Sequence, residues 1–105
     1  MDKKISVIIK EPGKTPRHVN ISPSENNLEK TVGGQVDEHL LAADLAILTD
    51  HDQNGAECCE VCGLKLTGTV IFAGIGHPDP EGSDELTDLP IDFKTFKKLF
   101  PQLWN

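Results

Sequence analysis

The chain has 105 residues, of which 37% are hydrophobic and 26% charged, and its formal net charge is −7. This length supports one modest hydrophobic core and excludes a second domain, so residues 1–105 are predicted to form a single domain. General nucleic-acid binding is disfavoured, because it depends on Lys and Arg neutralising phosphates. No apolar run approaches the length of a membrane span, and the charged start lacks a signal-peptide pattern. The sequence therefore predicts a cytoplasmic protein that does not attach to a membrane.

The charge is distributed unevenly along the chain. Residues 1–20 carry a net charge of +3, residues 21–90 carry −12, and residues 91–105 carry +2. The sequence therefore predicts an acidic belt between two basic ends. The belt is suited to a basic surface on another protein, whereas the basic N-terminal segment is suited to a small anionic ligand.

The first predicted unit is a β-hairpin with a basic outer face. Residues 3–10 alternate between apolar and polar side chains, which is typical of a half-buried strand. Pro12 and Gly13 then favour a tight turn, and Arg17–Ile21 provides the returning strand. Around this turn we expect a site for a phosphate or carboxylate group, formed by Lys10, Lys14, Arg17 and His18. The alternative is that cations on an outer strand only discourage aggregation between sheet edges.

A short helix and two strands are predicted next. The segment Ser22-Pro23-Ser24-Glu25 fits a capping box that starts a helix, and Gly33-Gly34 ends it. The weakly apolar residues 35–41 predict an edge strand, and the more apolar residues 44–50 predict an inner strand. Asn54-Gly55 is a strong hairpin-turn signal, which predicts that the chain returns there towards the cysteines.

The most apolar stretch lies between Gly63 and Gly76. Its centre, Val70–Ala73, predicts a strand buried on both faces in the middle of a sheet. Residues 76–85 are predicted to form a solvated loop. Residues 88–100 predict a final helix with an apolar side formed by Phe93, Phe96 and Phe100. Together these elements predict an α+β domain with a mainly antiparallel sheet of about five strands and two helices packed on one face.

Three cysteines lie within five residues. Cys59 and Cys62, followed by Gly63, have the C-x-x-C-G form of a zinc knuckle. A tetrahedral zinc site needs four ligands, and the sequence offers Cys58, Cys59, Cys62, His51 and His77. The alternative is that these are ordinary thiols, since an odd number of clustered cysteines does not form a disulfide framework. Zinc is the one cofactor that the sequence suggests, and the leading expectation is that the protein has no cofactor.

The sequence shows no recognisable catalytic pattern. It has no Walker loop and no G-x-G-x-x-G segment, and its four histidines are scattered. Enzymatic activity is therefore the minor alternative.

Several short motifs occur in an order that resembles a known family. The opening strand runs into Glu11-Pro12-Gly13-Lys14, a short helix runs into Val32-Gly33-Gly34, and a later strand contains Gly68-Thr69-Val70-Ile71. Leu86-Thr87 then precedes the last helix. Because of these motifs and their order, the chain resembles domain of unknown function 3846, a family of small proteins from bacteria, phages and mobile elements.

The chain departs from the family pattern between Gly55 and Leu66, where relatives carry a longer segment with an Asn-Arg pair. The resemblance implies an α+β fold and a phage or mobile-element setting, and it implies no catalytic residues.

These observations predict a non-enzymatic binding protein that captures or blocks its target stoichiometrically and that can form a homo-oligomer. The target is expected to be either a nucleotide-like ligand at the basic hairpin or a host protein at the acidic belt, in a role such as counter-defence. The alternatives are a zinc-knuckle interaction module and an uncharacterised enzyme.

Overall fold

The computed structural model describes residues 4–42, 44–52, 55–76 and 85–104. It contains eight strands, two α-helices and one 3-10 helix within these residues. In chain order they are β1 (Ile5–Lys10), β2 (Arg17–Ile21), α1 (Glu25–Val32), β3 (Val36–Ala42), β4 (Leu45–Asp50), β5 (Glu57–Val61), β6 (Leu64–Thr67), β7 (Val70–Gly76), β8 (Glu85–Thr87), α2 (Phe93–Leu99) and the 3-10 helix η1 (Pro101–Trp104).

Six strands form the main sheet, and every neighbouring pair is antiparallel. The order across the sheet is β2-β1-β7-β4-β3, and β8 pairs with the far end of β7. β5 and β6 form a separate two-stranded sheet. The predicted α+β class and mainly antiparallel sheet are confirmed. The sixth strand, β8, follows the predicted loop, of which residues 77–84 lie outside the described residues.

The central strand is β7, as the sequence predicts. Six of its seven residues are buried, because β1 and β4 flank it and both of its faces are covered. Val70 and Phe72 point to one side and Ile71 and Ala73 to the other, following the two-residue period of a strand. The fully apolar run is therefore a consequence of burial on two faces.

The two helices lie on opposite faces of the sheet, whereas the sequence predicts both on one face. Leu28 and Val32 of α1 pack against the side of β7 that carries Ile71. Phe96 of α2 and Phe100, which follows the helix, pack against the other side, where the ring of Phe72 lies 4.9 Å from that of Phe96 and 6.0 Å from that of Phe100. A strand buried on both faces needs a cover on each side, and one helix supplies each cover.

Local capping groups fix the ends of both helices. Ser24 is the N-cap of α1 and its Oγ accepts the Asn27 N–H at 3.3 Å, so the helix begins at Glu25, the last residue of the predicted capping box, rather than at Pro23. Gly33 ends α1 as predicted, at φ 93°. α2 begins at Phe93, later than predicted, because Asp92 is its N-cap and accepts the Thr95 N–H at 2.7 Å. This bond lowers the pKa of the Asp92 carboxyl.

The β5–β6 hairpin covers part of the α2 side of the sheet. Val61 and Leu66 insert from it into the cluster around Phe72. Its two-residue turn is formed by Cys62 at φ 50° and Gly63 at φ 84°, the left-handed conformation that tight hairpins require. The predicted hairpin turn at Asn54 lies outside the described residues, and β5 pairs with β6 rather than with β4.

Candidate functional site

The predicted anion site at the basic hairpin already contains a carboxylate. The Glu11 side chain lies between two of the predicted cations, 3.2 Å from Lys14 Nζ and 2.8 Å from Arg17 Nη2. The adjoining cavity is about 70 Å³, well below the roughly 300 Å³ of a typical small-molecule pocket. A phosphate at this site would have to displace Glu11 from both cations.

The other two predicted cations lie elsewhere. His18 pairs across the sheet with Ile8, bonds to the Ser6 hydroxyl, and stacks on Phe93 with ring centroids 6.4 Å apart. Lys10 is only 5% exposed, and its ammonium donates to the Glu11 carbonyl oxygen at 2.8 Å. The structure therefore does not bring the four residues together as one open site.

The candidate zinc ligands are also dispersed. Cys62 is exposed at the hairpin turn, whereas Cys58 and Cys59 are half-buried in β5. His51 Nδ1 lies 2.9 Å from Asp37 Oδ1 in an ion pair, and His77 lies outside the described residues. Within the part of the chain that the structure describes, no three His, Cys, Asp or Glu residues converge as metal ligands do. The C-x-x-C-G segment is a strand followed by a tight turn in this fold.

Cys58 and Cys59 form a paired thiol arrangement beside Lys10, which sequence reasoning missed. The two thiols are close enough to shift each other's pKa, and Cys58 Sγ donates to the Lys10 carbonyl oxygen at 3.6 Å. The Cys59 thiol and the Lys10 ammonium together lower the pKa of Cys58, against the opposing effect of burial. The pKa of Cys59 is raised, because its proton bonds to Cys58 and because it is half-buried. No sequence spacing links residue 10 to residue 58, so the pairing depends on the fold.

Part of the predicted acidic belt lies at one edge of the sheet. We define the acidic edge as strand β3 with its exposed residues Glu38 and Leu40, together with Asp37 and Asp44. β3 bonds only to β4, so its other side is not paired with a strand among the described residues. Leu40 is 60% exposed and is the most exposed large hydrophobic residue in the described ranges. The edge therefore combines free backbone groups, negative charge and one apolar side chain.

One histidine modifies the charge of this edge. The hydrogen bond and the negative charge of Asp37 raise the pKa of His51, and the charges of Asp52 and Asp50 add to this. His51 is thus held in its charged form to a higher pH than usual, and it neutralises Asp37 while protonated.

A wide, polar groove lies near the basic end. It has a volume of about 440 Å³ between the end of β2 and the start of α1, and Lys4 and Lys30 are the charged residues among the described ones that line it. Both lysines are exposed, so a ligand there would stay hydrated and its charge interactions would be weak.

In the described ranges, no helix is long and apolar enough to cross a membrane. No family model, curated protein or solved structure matches the chain in the three comparisons made.

Proposed function

We propose that the protein is a non-enzymatic binding protein that captures or blocks a partner protein by docking its acidic edge against a basic extended segment. The single observation that carries this proposal is the state of β3. Among the described residues this strand is paired on one side only, and Leu40 is 60% exposed two positions from Glu38.

The backbone of β3 can supply affinity. Its seven residues span roughly 23 Å at about 3.3 Å per residue. An extended peptide that adds to such an edge gains main-chain hydrogen bonds, and alternate side chains give specificity. The register shift between Leu40 and Ala42 bends the far end of the strand, which favours docking along residues 36–40.

The charges of β3 select the partner. Carboxylates at Asp37, Glu38 and Asp44 attract a basic segment and accelerate its encounter with the edge. The same carboxylates repel a second copy of β3, so this edge disfavours self-pairing. A homo-oligomer would have to form through another surface.

The nucleotide-like ligand remains the weaker form of the proposal, because Glu11 already occupies Lys14 and Arg17. The phage or mobile-element setting and the membership of domain of unknown function 3846 stay predictions from the resemblance.

Site-specific photocrosslinking tests the proposal. A photoreactive residue at position 40 would capture the partner in host cells, and the same residue at position 99 provides a matched control. Leu99 is 57% exposed, close to Leu40, but it lies in α2 beside Lys97 and Lys98. We expect a crosslinked partner at position 40 and none of the same mass at position 99.

Charge reversal completes the test. Glu38→Lys should abolish the crosslink at position 40, and purified partner should bind less tightly as salt increases. Equal crosslinking at both positions, or binding that is insensitive to salt and to Glu38→Lys, would contradict the proposal.

A further inference from the structure

A β-bulge places two neighbouring thiols on the same side of β5. The register runs from Glu57 opposite Thr67 directly to Cys59 opposite Leu66, so Cys58 is the inserted residue. In a regular strand the side chains of residues 58 and 59 would point to opposite faces. Here both pack against the cluster on the α2 side of the sheet, so the bulge brings the two thiols to the same side of the strand.

A buried cation lies beside this pair. Lys10 is 5% exposed, and no carboxylate in the described ranges lies within ion-pair distance of its ammonium. A buried charge is unfavourable unless it is compensated. The Glu11 carbonyl supplies one acceptor, and the Cys58 and Cys59 sulfurs are the nearby groups that can supply negative charge. Lys10 therefore favours the thiolate of Cys58, the form from which sulfur reacts.

We infer that Cys58 and Cys59 form a vicinal dithiol site for trivalent organoarsenicals. In these compounds the arsenic atom carries one organic group and two bonds that thiols can replace. With an arsenic oxide R–As=O, two As–S bonds form. The oxygen leaves as water with the two thiol protons, and no oxidation state changes. Two protein sulfurs complete the coordination of the arsenic atom. This matches the absence of a third His, Cys, Asp or Glu ligand among the described residues.

Geometry favours a bridging atom over a direct disulfide. The Cα atoms of adjacent residues are about 3.8 Å apart, whereas disulfides usually need about 4.4–6.8 Å. With bonds close to the roughly 2.3 Å of a zinc–thiolate bond, two sulfurs on one bridging atom lie roughly 3.5 Å apart, and the bulge places both side chains on the side of the strand where such a bridge would form. The pair therefore persists as a dithiol that can chelate.

Intact-protein mass spectrometry with phenylarsine oxide, in the presence of excess 2-mercaptoethanol, tests this site. We expect one phenylarsenic group per chain in the wild type and in Cys62→Ser. Cys58→Ser and Cys59→Ser should each lower the affinity by roughly 10²-fold or more, because the second bond would no longer be intramolecular. Circular dichroism of each variant establishes that it is folded.

The same series can overturn the inference. If Cys62→Ser loses the adduct, the C-x-x-C pair is the dithiol and the bulge is irrelevant. If Cys58→Ser or Cys59→Ser retains wild-type affinity, or if the folded wild type forms no adduct, the site does not exist as described. These outcomes are independent of binding at the acidic edge, since the test concerns only cysteines of the β5–β6 hairpin.

Lys10 has its own test as a positioning residue. Lys10→Met should leave the stoichiometry at one and slow adduct formation, while Lys65→Met, which changes an exposed lysine on β6, should leave the rate unchanged. Equal rates in Lys10→Met and the wild type would remove Lys10 from the proposal.

Discussion

The two edges of the main sheet carry opposite charge and differ in how much of that charge is available. At the β2 edge, Glu11 lies between Lys14 and Arg17 and compensates one of their two positive charges within the hairpin. At the β3 edge, His51 pairs with Asp37, whereas Glu38 has no cation within ion-pair distance in the described ranges. Charge along the chain thus indicates where an interaction surface could lie, and local pairing decides whether it is free to bind.

Both edges depend on β7, so its disruption should have the largest effect. Phe72 is fully buried and contacts Phe96 and Phe100, and Phe72→Ala should lower the free energy of unfolding by about 3–5 kcal/mol. Phe93→Ala is the control, because Phe93 is 36% exposed and should cost much less. Urea denaturation measures both, and similar losses for the two variants would contradict the assignment of the core.

Leu40→Ser sharpens the comparison at the acidic edge. We expect it to weaken binding of the crosslinked partner by about tenfold or more, as loss of a central apolar contact does. Its free energy of unfolding should change by no more than about 0.5 kcal/mol, because the side chain is exposed. Calorimetric titration and urea denaturation separate the two effects. Unchanged affinity would remove Leu40 from the interface.

Glu11→Gln should make the basic edge resemble a free cationic surface. Loss of the carboxylate leaves Lys14 and Arg17 available, so inorganic phosphate should bind up to about tenfold more tightly than to the wild type. Glu25→Gln makes the same change in net charge within α1 and should have no such effect. Phosphorus NMR titrations measure both variants, and an equal gain in both would show that only net charge matters.

The smallest expected effect is a pH dependence at the acidic edge. Asp37 raises the pKa of His51 in the folded state, so the pair stabilises the fold fully below the unfolded pKa of about 6.5. This stabilisation is lost as pH rises through the folded pKa. Asp37→Asn should therefore reduce Tm more at pH 5.5 than at pH 8.5. Asp52→Asn should give a smaller difference between the losses of Tm at the two pH values, because Asp52 contributes less than Asp37 to the raised pKa of His51. Equal behaviour of the two variants would contradict the pairing.

The sequence contained enough information to locate the central strand, the first hairpin and the end of α1. Val70–Ala73 is too apolar for a half-exposed strand, and Gly33 marks a helix end by its conformational freedom. Sequence periodicity shows that a strand has two sides, but it does not show which helix covers which side. The placement of α1 and α2 on opposite faces was therefore missed.

The candidate sites depended on long-range contacts that spacing does not reveal. Glu11 is close to Lys14 and Arg17 in sequence, yet only the folded turn shows that it lies between them. Lys10 and Cys58 meet across 48 positions. The acidic edge was predictable in outline, since residues 35–41 were weakly apolar, but the exposure of Leu40 depends on the position of β3 at the rim of the sheet.

The position of β7 has a consequence for synthesis of the protein. β1 and β4 are neighbours of β7 rather than of each other, so the two halves of the sheet remain unjoined until residues 70–76 leave the ribosome. Until then, Ile8 and Ile47 have no strand between them, and their apolar faces stay exposed to water. Nascent chains that end before residue 70 should therefore be sensitive to proteases and should depend on chaperones, whereas chains that include α2 should become resistant in a single step.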